Sequence, residues 1–447
     1  MDDRNDSKRI GALAIVERLR REGFEAFFVG GCVRDFLRGV VPGDYDIVTS
    51  ALPDQVRSLF ERTIAIGAKF GVIVVVIDGL AYEVATYRSD GVYEDGRRPA
   101  AVSFSTAKED VLRRDFTVNG LLMDPFSGEV IDYVGGRDDL DRKVLRTIGD
   151  PEVRFGEDHL RMLRAVRFTA NLGYALDPET QKAIERQPEK INVVSAERIT
   201  EELMKLLTHG GARRGVELLS ETGLLRQILP EVERMKGVEQ PPRFHPEGDV
   251  WTHTMIMLDI LSSETAPKTD PALAWGALLH DVGKPVTRTV DERGIHFYGH
   301  VQRGESIASA IAQRLRFSRT LRDDIVNLIA HHMVFMNVTK MRPARLRRFL
   351  RMPDFGRHLE MHRLDCLASH QMLDFYTFCL DQLRQLQHEA LHPPRLLTGD
   401  DLIALGFSPG RLIGTILRAV EEEQLEDRLD TRQQAVAFVM RHWPSPR

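Results

Sequence analysis

The sequence predicts an α+β protein, in which a small α/β or α+β head precedes an all-α remainder. Two observations predict this architecture. Through about residue 140, β-branched and aromatic runs bounded by Gly, Pro and Asp are typical of short strands. From Pro151 onwards, apolar residues recur at three- and four-residue spacing, which is typical of amphipathic helices.

The elements follow in order along the chain. Residues 10–23 are expected to form an amphipathic helix, and the run FEAFFV is expected to form a buried strand that leads into Gly30 and Gly31. Further strands are predicted for DYDIVTS, GVIVVVIDG and AYEVATYR. Helices are predicted for HLRMLRAVRFTANLG, ITEELMKLLTHG, RRGVELLSETG, DPALAWGALLHDVG and TLRDDIVNLIAHHM.

Two domain boundaries are predicted. The first lies near residues 149–151, where the apolar period changes, and the second lies in residues 237–248, where three prolines and two glycines interrupt the helices. The expected organisation is a head at residues 1–150, a helical neck at 151–240, a helical body at 241–390 and a helical tail at 391–447.

Composition excludes several classes of protein. The 447 residues include 43% hydrophobic residues and a net charge of −5, which excludes a disordered chain. The three cysteines, Cys32, Cys366 and Cys379, lack metal-ligand spacing and fit a reducing compartment. The apolar stretch at residues 70–77 is too short to cross a bilayer. We therefore expect a cytoplasmic protein without a membrane partner; the sequence makes no prediction about oligomeric state.

A carboxylate pair follows a glycine turn in the head. Asp44 and Asp46 stand at i and i+2, and on a strand these positions face the same side. Two such carboxylates can hold Mg²⁺ against a triphosphate. The glycine turn in GGCVRD leaves backbone N–H groups open to phosphates and places Arg34 and Asp35 at the start of a helix. An isolated D-x-D alone is more often a solvated strand face, so the prediction depends on this turn.

These residues resemble a known family, the class II tRNA nucleotidyltransferases and bacterial poly(A) polymerases of the polymerase-β superfamily. GGCVRD and GDYDIVTS match the family's first motif, and RRDFTVNG resembles its R-R-D-F-T-x-N-A element except at Gly120. Residues 86–104 resemble its flexible loop, EDHLRMLRAVRF resembles its nucleotide-selecting E-D-x-x-R motif, and SAERITEELMKLL resembles its neck helix. The resemblance covers residues 25–240 and implies a polymerase-β-like nucleotidyltransferase head with a mixed sheet and helices.

The resemblance also assigns roles in the head. It implies that Asp44 and Asp46 are catalytic Mg²⁺ ligands, and Glu83 on the strand AYEVATYR is our candidate third carboxylate, a solvated strand glutamate being the alternative. The expected nucleotide-binding residues of the head are Gly30, Gly31, Arg34, Asp35, Arg113, Arg114, Asp115 and Asn119. One or more of these arginines could instead serve a salt bridge.

The segment 157–168 is expected to select the nucleotide. On one helix, Asp158, Arg161 and Arg164 would share a polar face opposite an apolar face. A carboxylate and a guanidinium can bond the amine and ring nitrogen that cytosine and adenine share, whereas the carboxylate would repel the carbonyl of guanine or uracil. The alternative is an exposed helical ion pair between Asp158 and Arg161.

Twelve of the fifteen histidines lie in residues 245–392, which points to a metal site. His253, the dyad His280–Asp281 and Asp365 resemble the ligand pattern of the HD superfamily, which implies a divalent Mn, Fe, Ni, Co or Zn ion. His300 and either His331 or His332 are candidates for a second metal, although Val301 departs from the G-H-E pattern that the family's tRNA enzymes often show. The alternative is an HD fold retained as a scaffold without metal.

The resemblance implies an enzyme that adds CCA to the 3′ end of tRNA from CTP and ATP without a template. An A-adding enzyme or a poly(A) polymerase of the same family is the nearest alternative, and a CC-only enzyme is disfavoured because the flexible loop is complete. From another class, the chain could be an HD phosphohydrolase with a vestigial RNA-binding head. By analogy, the HD part could act as a 2′,3′-cyclic phosphodiesterase or phosphatase on tRNA ends.

Basic segments are expected to contact the acceptor arm of tRNA through phosphates and 2′-hydroxyls. Residues 341–351, MRPARLRRFLR, carry five arginines and no acid, and Arg142, Lys143, Arg146 and Arg154 lie near the expected boundary of head and neck. Solvated helical charge is the alternative for each of them.

Overall fold

A computed structural model of the chain describes residues 3–65, 71–91, 102–266, 269–386 and 394–443. The chain forms two units. The first comprises Met1–Glu233, Ser262–Thr269 and Gln313–Phe317, and the second comprises Arg234–Leu261, Asp270–Ala312 and Ser318–Arg447. None of the helices in the described ranges has both the length and the apolar character needed to cross a membrane.

The first unit contains a mixed sheet. Its strands, with a separate two-stranded pair, are β1 Ala26–Val29, β2 Asp46–Thr49, β3 Thr63–Ile64, β4 Val72–Ile77, β5 Leu80–Thr86, β6 Arg88–Asp90, β7 Val102–Phe104, β8 Leu121–Met123 and β9 Val130–Asp132. The sheet runs in the order β3-β4-β5-β2-β1-β8-β9, while β6 pairs with β7. Only the β2–β5 pairing is parallel among the pairs of this sheet that the described residues form.

Local sequence explains how the central hairpin forms. The strand β4 reads VIVVVI, a run of β-branched residues that favours extended backbone. Asp78 and Gly79 join β4 to β5 with φ values of 50° and 78°, so this two-residue turn needs the left-handed backbone that Asp and Gly tolerate. The turn fixes the register in which Ile77 faces Leu80 and Val74 faces Glu83.

Helices surround the sheet and continue beyond it. In the first unit they are α1 Asp3–Arg21, α2 Gly31–Leu37, α3 Pro53–Leu59, α4 Ala107–Leu112, α5 Gly136–Asp141, α6 Pro151–Glu157, α7 Leu160–Leu172, α8 Pro178–Glu185, α9 Ala196–Thr208, α10 Ala212–Glu221, α11 Leu224–Ile228 and α12 Pro230–Glu233. Short 3₁₀ helices occupy Thr117–Asn119 and Pro188–Val193. Two short parallel strands, β10 Val144–Leu145 and β11 Ala175–Leu176, also pair in this unit.

The second unit is mainly helical. Its helices are α13 Val250–Thr265, α14 Pro271–Leu279, α15 Lys284–Thr287, α16 His300–Arg314, α17 Arg319–His331, α18 Pro343–Leu350, α19 Phe355–Ala368, α20 Asp374–Gln385, α21 Gly399–Ala404, α22 Arg411–Leu425 and α23 Arg432–His442. A 3₁₀ helix spans His332–Lys340. The α+β class predicted from the sequence is confirmed, but the hairpin of β12 Thr289–Asp291 and β13 Gly294–His296 interrupts the expected all-α region.

Separate apolar cores stabilise two parts of the second unit. One core centres on Phe335, Phe349 and Phe355, and another, in the tail, centres on Leu402, Ile416 and Val439. In the head, Val29, Val48 and Leu122 pack with Tyr87 and Val111 on one face of the sheet. Burial of these apolar side chains provides the main driving force for folding.

Candidate active site and metal centre

Three carboxylates lie near the start of strand β2 and the middle of strand β5, and we call Asp44, Asp46 and Glu83 the carboxylate cluster. The parallel register places Ile47 opposite Val84. Asp46 and Glu83 each precede that pair by one residue, so their side chains leave the same face of the sheet. Partial removal from water, together with nearby Glu83, raises the pKa of Asp46 to about 6. Carboxylate oxygens that lie close together are suitable ligands for a hard divalent cation such as Mg²⁺.

Lys8 of α1 contacts the carboxylate cluster. Its Nζ lies 2.6 Å from Oδ1 of Asp44 and 2.5 Å from the carbonyl oxygen of Gly43. Arg114 is a second nearby cation, and its charge opposes the rise in the pKa of Asp46. Like-charged carboxylates therefore have cationic neighbours on two sides, which offsets part of their mutual repulsion.

The glycine turn takes the conformation that the motif requires. Gly30 has φ 74° and ψ −128°, a backbone region open mainly to glycine, and α2 begins at the next residue. Arg34 on α2 is buried and donates to Asp35 through Nε and Nη2 at 2.9 and 3.1 Å. Its Nη1 donates to Oδ1 of Asn119 at 2.7 Å. Three of its donors are thus engaged, so Arg34 positions its neighbours.

Arg113 and Arg114 share one buried carboxylate that the motif analysis missed. Nη2 of Arg113 lies 2.6 Å from Asp110, and Nη2 of Arg114 lies 2.9 Å from it. Burial alone would raise the pKa of Asp110, but the two guanidinium groups lower it. The sequence held a signal for this contact, because an acid three and four residues before two arginines on a helix faces them both.

A chain of polar contacts extends from Asn119 to the neck. Asn119 donates to Asp115, and Arg164 donates to Asp115 at 2.6 and 2.9 Å. Against the effect of burial, Arg164 lowers the pKa of Asp115 to about 2. Arg164 also lies 3.5 Å from buried Glu202, whose other oxygen accepts from Arg167 at 2.5 Å. Glu202 was not among the predicted site residues.

Phe168 organises the arginines of this network. The Cζ atoms of Arg34, Arg164 and Arg167 lie 5.4, 5.2 and 3.9 Å from the centroid of its ring. Each distance is within the range of cation–π attraction. The aromatic ring therefore helps to hold three like charges together, a role that the sequence analysis did not assign.

The predicted single helix over 157–168 is wrong at Asp158. The chain ends α6 at Glu157 and begins α7 at Leu160, and Asp158 between them is extended, with φ −146° and ψ 105°. Its Oδ1 accepts from the N–H of Leu160 at 3.1 Å, so Asp158 caps α7. The apolar face of α7 is as expected, since Met162, Leu163 and Val166 are buried.

The alternative interpretation, an ion pair between Asp158 and Arg161, does not match the contacts of either residue. Arg161 pairs with Glu157 at 2.5 Å and donates to the carbonyl oxygen of Arg113 at 3.1 Å. Asp158 instead accepts two hydrogen bonds from Arg198 on α9, at 3.1 and 2.7 Å. Arg198 was missed because it lies forty positions further along the chain.

The flexible loop expected at residues 86–104 is described only at its ends, where Arg88 of β6 faces Phe104 of β7. Residues 92–101 lie outside the described residues.

In the second unit, the predicted histidines and aspartates converge, and we call this set the histidine cluster: His253, His280, Asp281, His300, His332 and Asp365. Nε2 of His253 lies 3.2 Å from Asp365, and Nε2 of His280 lies 3.1 Å from Asp281. Nε2 of His300 and of His332 lie 3.8 and 3.9 Å from Oδ1 of Asp281. Ligand atoms of His253, His280 and Asp281 form one group within 4.8 Å, and those of Asp281, His300 and His332 form another.

Of the two adjacent candidates, only His332 joins the histidine cluster. The ring of His331 packs edge-on against His358 at 5.5 Å, and its Nδ1 contacts the carbonyl oxygen of Asn327. Helical geometry explains the difference, because successive side chains point about 100° apart. Of the two alternatives, the structure therefore favours His332.

The donor atoms of the histidine cluster fit a transition metal. Nε2 of His253, His280, His300 and His332 and Oδ1 of Asp281 are buried and make no hydrogen bond of good geometry within the described part of the chain, although Nε2 of His253 and of His280 lie beside carboxylates. Nδ1 of His280, His300 and His332 each contacts a backbone carbonyl, which leaves Nε2 as the free ligand atom. Buried polar atoms left without partners are costly, and a bound cation would satisfy all five.

The surroundings set the charge of these ligands. Burial lowers the pKa of His332 to about 4, so its imidazole is neutral at pH 7. Asp365 and Glu247, acting against burial, raise the pKa of His253 to about 9, so metal binding there would release a proton. Against burial, His280 and Lys284 hold the pKa of Asp281 well below its usual range.

Two supporting residues were not predicted as part of the site. Glu247 accepts from Nδ1 of His253 at 2.7 Å and of His245 at 2.8 Å, and thereby orients His253. Lys284 is buried, and its Nζ lies 2.6 Å from Asp281 and 2.6 Å from Gln240.

Three of the five arginines in the basic segment 341–351 form ion pairs, which its sequence alone does not indicate. Arg347 pairs with Asp427 at 2.7 Å, Arg348 pairs with Glu422 at 2.8 Å, and Arg351 pairs with Glu421. Acids on and after α22 therefore neutralise three of its five arginines. Arg342 and Arg345 make no ion pair with any described residue and remain candidates for contacting RNA.

Three family models match the chain in succession. The poly A polymerase head domain matches residues 26–146, a probable RNA and SrmB-binding site of polymerase A matches residues 173–236, and the HD domain matches residues 250–364. A poly A polymerase head domain, an RNA-binding region and an HD domain thus follow one another along the chain. These matches agree with the resemblance to tRNA nucleotidyltransferases and poly(A) polymerases that the motifs indicate.

The chain is also similar to named relatives, which are CCA-adding enzymes. The CCA-adding enzyme of Geobacillus stearothermophilus is 50% identical over 214 residues, which are 48% of this chain and 53% of that protein. The CCA-adding enzyme of Bacillus subtilis (strain 168) is 46% identical over 258 residues, 56% of this chain and 65% of that protein. The matched part of the chain thus spans between half and two thirds of the length of these relatives.

Solved structures share the fold. The Bacillus stearothermophilus CCA-adding enzyme in complex with CTP has a TM-score of 0.73 and 28% identity, with 96% of both chains covered. The Thermotoga maritima CCA-adding enzyme complexed with tRNA has a TM-score of 0.61 over 96% of this chain, and at 17% identity this likeness concerns the fold alone.

Proposed function

We propose that this chain completes the 3′ end of tRNA by adding two cytidines and one adenosine from CTP and ATP without a nucleic-acid template. The observation that carries the proposal is a continuous chain of contacts from Arg34 through Asn119 and Asp115 to Arg164. It links the glycine turn beside the carboxylate cluster to α7, which follows Asp158. The CCA-adding relatives and the solved complex with CTP support the same reading.

In this proposal Asp44, Asp46 and Glu83 hold Mg²⁺, which would activate the 3′-hydroxyl and stabilise the charge that develops on the α-phosphate. The N–H of Gly30 donates to the carbonyl oxygen of Leu121, so the turn presents the N–H of Gly31, and Arg113 and Arg114 present guanidinium groups to the triphosphate. Asp158 accepts from the exocyclic amine of cytosine or adenine and repels the carbonyl of uracil or guanine. Arg161, fixed by Glu157, presents its remaining donors to the ring nitrogen.

The three free, buried thiols, Cys32, Cys366 and Cys379, fit a cytoplasmic location for this activity. Exposed Arg342 and Arg345 would contact phosphates of the tRNA.

The test supplies three tRNA substrates, ending before CCA, after C and after CC, with labelled CTP and ATP separately and together. CCA addition predicts two added residues from CTP alone and three from the mixture on the first substrate. Addition of a single A to the CC substrate alone would identify an A-adding enzyme, and a long A tail would identify a poly(A) polymerase. Asp46→Asn should abolish all incorporation, whereas Asp54→Asn on exposed α3 should not.

We also propose a second function, a metal-dependent phosphohydrolase acting on 2′,3′-cyclic phosphates or phosphomonoesters at RNA ends. It is supported by the five buried nitrogen and oxygen atoms of the histidine cluster that could ligate a metal and that make no hydrogen bond of good geometry with the described residues. The ligands would hold one or two ions of Mn, Fe, Co, Ni or Zn, which would polarise the phosphate and activate water. Hydrolysis of a 2′,3′-cyclic nucleotide, measured with each metal in turn, tests it; His280→Ala should abolish hydrolysis and leave CCA addition unchanged.

A further inference from the structure

A cavity of about 350 Å³ opens beside the histidine cluster, within the size range of small-ligand sites. At its inner end lie Asp281, His300, His332 and Asp365 of the cluster, together with buried Lys284. This end is suited to a phosphate, because it combines candidate metal ligands with an ammonium group.

The outer end of the same cavity has a different chemistry. Its rim carries Phe244, Tyr298, Met333 and Met336, which are 49%, 75%, 42% and 42% exposed. Large apolar side chains exposed together beside a polar centre mark a binding surface more often than a folding requirement. We call these four residues the rim.

Tyr298 forms a flat platform on this rim. Its ring lies parallel to that of His296, with centroids 5.2 Å apart and an angle of 14°. His296 is fixed in turn, since its Nε2 contacts Oδ1 of Asp291 at 2.9 Å across the β12–β13 hairpin. One face of the tyrosine ring is therefore partly covered by an offset, anchored imidazole, and the residue remains 75% exposed.

We infer that the rim is a nucleobase-stacking subsite, so that the histidine cluster takes a phosphate carried by a nucleoside and not a small phosphate ester. The base would stack on the free face of Tyr298 beside the flexible methionines, with the ribose phosphate directed towards Lys284 and the cluster. Stacking tolerates any base, because every base has a π face. This inference rests on the proposed second function for its chemistry, but its geometry concerns binding alone.

The first experiment measures binding without catalysis. The full-length protein, treated with EDTA, is titrated into 2-aminopurine riboside 2′,3′-cyclic phosphate, whose fluorescence falls when the base stacks. Wild type and Tyr298→Phe should quench the probe equally, because both retain the ring. Tyr298→Ala should weaken binding by about tenfold or more. Val290→Ala, exposed on β12 of the same hairpin and outside the cavity lining, is the matched control and should behave as wild type.

The second experiment separates the inference from the proposed function. With metal added, Tyr298→Ala should raise KM for a 2′,3′-cyclic nucleotide about tenfold at similar kcat, and should leave hydrolysis of baseless glycerol 1,2-cyclic phosphate unchanged. Tyrosine-dependent quenching without hydrolysis of any ester would remove the second function and retain the subsite. Equal quenching by wild type and Tyr298→Ala, or equal kcat/KM for esters with and without a base, would overturn the inference.

Discussion

Arg198 donates two hydrogen bonds to Asp158, from Nη1 to Oδ1 at 3.1 Å and from Nη2 to Oδ2 at 2.7 Å. A guanidinium that bonds both oxygens fixes the plane of the carboxylate as well as its position. The backbone adds a third restraint, since Oδ1 also accepts from the N–H of Leu160. In the proposed reaction, this carboxylate is the group that distinguishes an amine from a carbonyl, so its orientation matters as much as its charge.

Arg198→Ala should therefore relax base selection while nucleotide addition continues. We expect misincorporation of UTP or GTP, relative to CTP and ATP, to rise about tenfold, because a carboxylate free to turn discriminates less well. Misincorporation by Arg198→Lys should lie between the values for wild type and Arg198→Ala, since an ammonium group cannot bond both carboxylate oxygens in a fork. The control is Arg186→Ala, whose ion pair with Glu152 is mostly exposed. Unchanged selectivity in Arg198→Ala, alongside relaxed selectivity in Asp158→Ala, would contradict the positioning role.

Glu83→Gln tests the third carboxylate. The amide keeps the shape of the side chain but removes the charge beside Asp46, so incorporation should fall by about a hundredfold or more if Glu83 is a metal ligand. Asp78→Asn, in the turn of the same hairpin, should have little effect because asparagine tolerates the left-handed backbone found there. Full incorporation by Glu83→Gln, measured with labelled CTP, would return Glu83 to the class of solvated strand residues.

Asp115 gives the first unit a pH-dependent stability. Its pKa is lowered to about 2 by Arg164, against burial, so the stabilisation is complete above the unfolded pKa near 4 and is lost as pH falls through 2. This shift in pKa corresponds to a stabilisation of about 2–3 kcal/mol at pH 7 and about half of that at pH 3. Asp115→Asn should thus reduce the free energy of unfolding most at neutral pH, and its difference from wild type should shrink in acid.

Urea unfolding of both proteins at pH 7, 5, 4 and 3, followed through the first unfolding transition, measures this difference. Asp54→Asn, at an exposed position, serves as the control. If the difference in free energy of unfolding between Asp115→Asn and wild type stays constant from pH 7 to pH 3, the Asp115–Arg164 pair does not account for the loss of stability in acid.

The sequence predicted the parts of the site that depend on local pattern. The glycine turn, the aspartates around β2 and the His280–Asp281 dyad are short motifs whose geometry follows from a few neighbouring residues. The contacts that the sequence did not predict join segments that are distant along the chain. Arg198 is forty positions from Asp158, and Glu202 is thirty-eight from Arg164. Spacing on a single helix gave no information about such tertiary contacts.

The break at Asp158 was missed for another reason. Apolar periodicity continues through 157–168, so the pattern favoured one helix. Yet aspartate before an apolar run is a favoured N-cap, and the capping contact to Leu160 shows that this signal outweighed the period. Likewise, the five arginines of 341–351 indicated a basic surface, because the acids that neutralise three of them lie seventy to eighty residues away.

The neighbours His331 and His332 offer a direct test of the metal centre. His332 presents a buried Nε2 3.9 Å from Asp281, whereas His331 packs against His358 outside the cluster. His332→Ala should lower the transition-metal content of the purified protein, because it removes one ligand from the group shared with Asp281 and His300. His331→Ala should leave the metal content at the wild-type value, which makes it a matched control one residue away. Elemental analysis after dialysis gives the metal per chain, and circular dichroism checks that both variants fold. Equal metal content in the two folded variants and wild type would exclude His332 as a ligand, and negligible metal in all three would leave the HD domain as a scaffold without a metal.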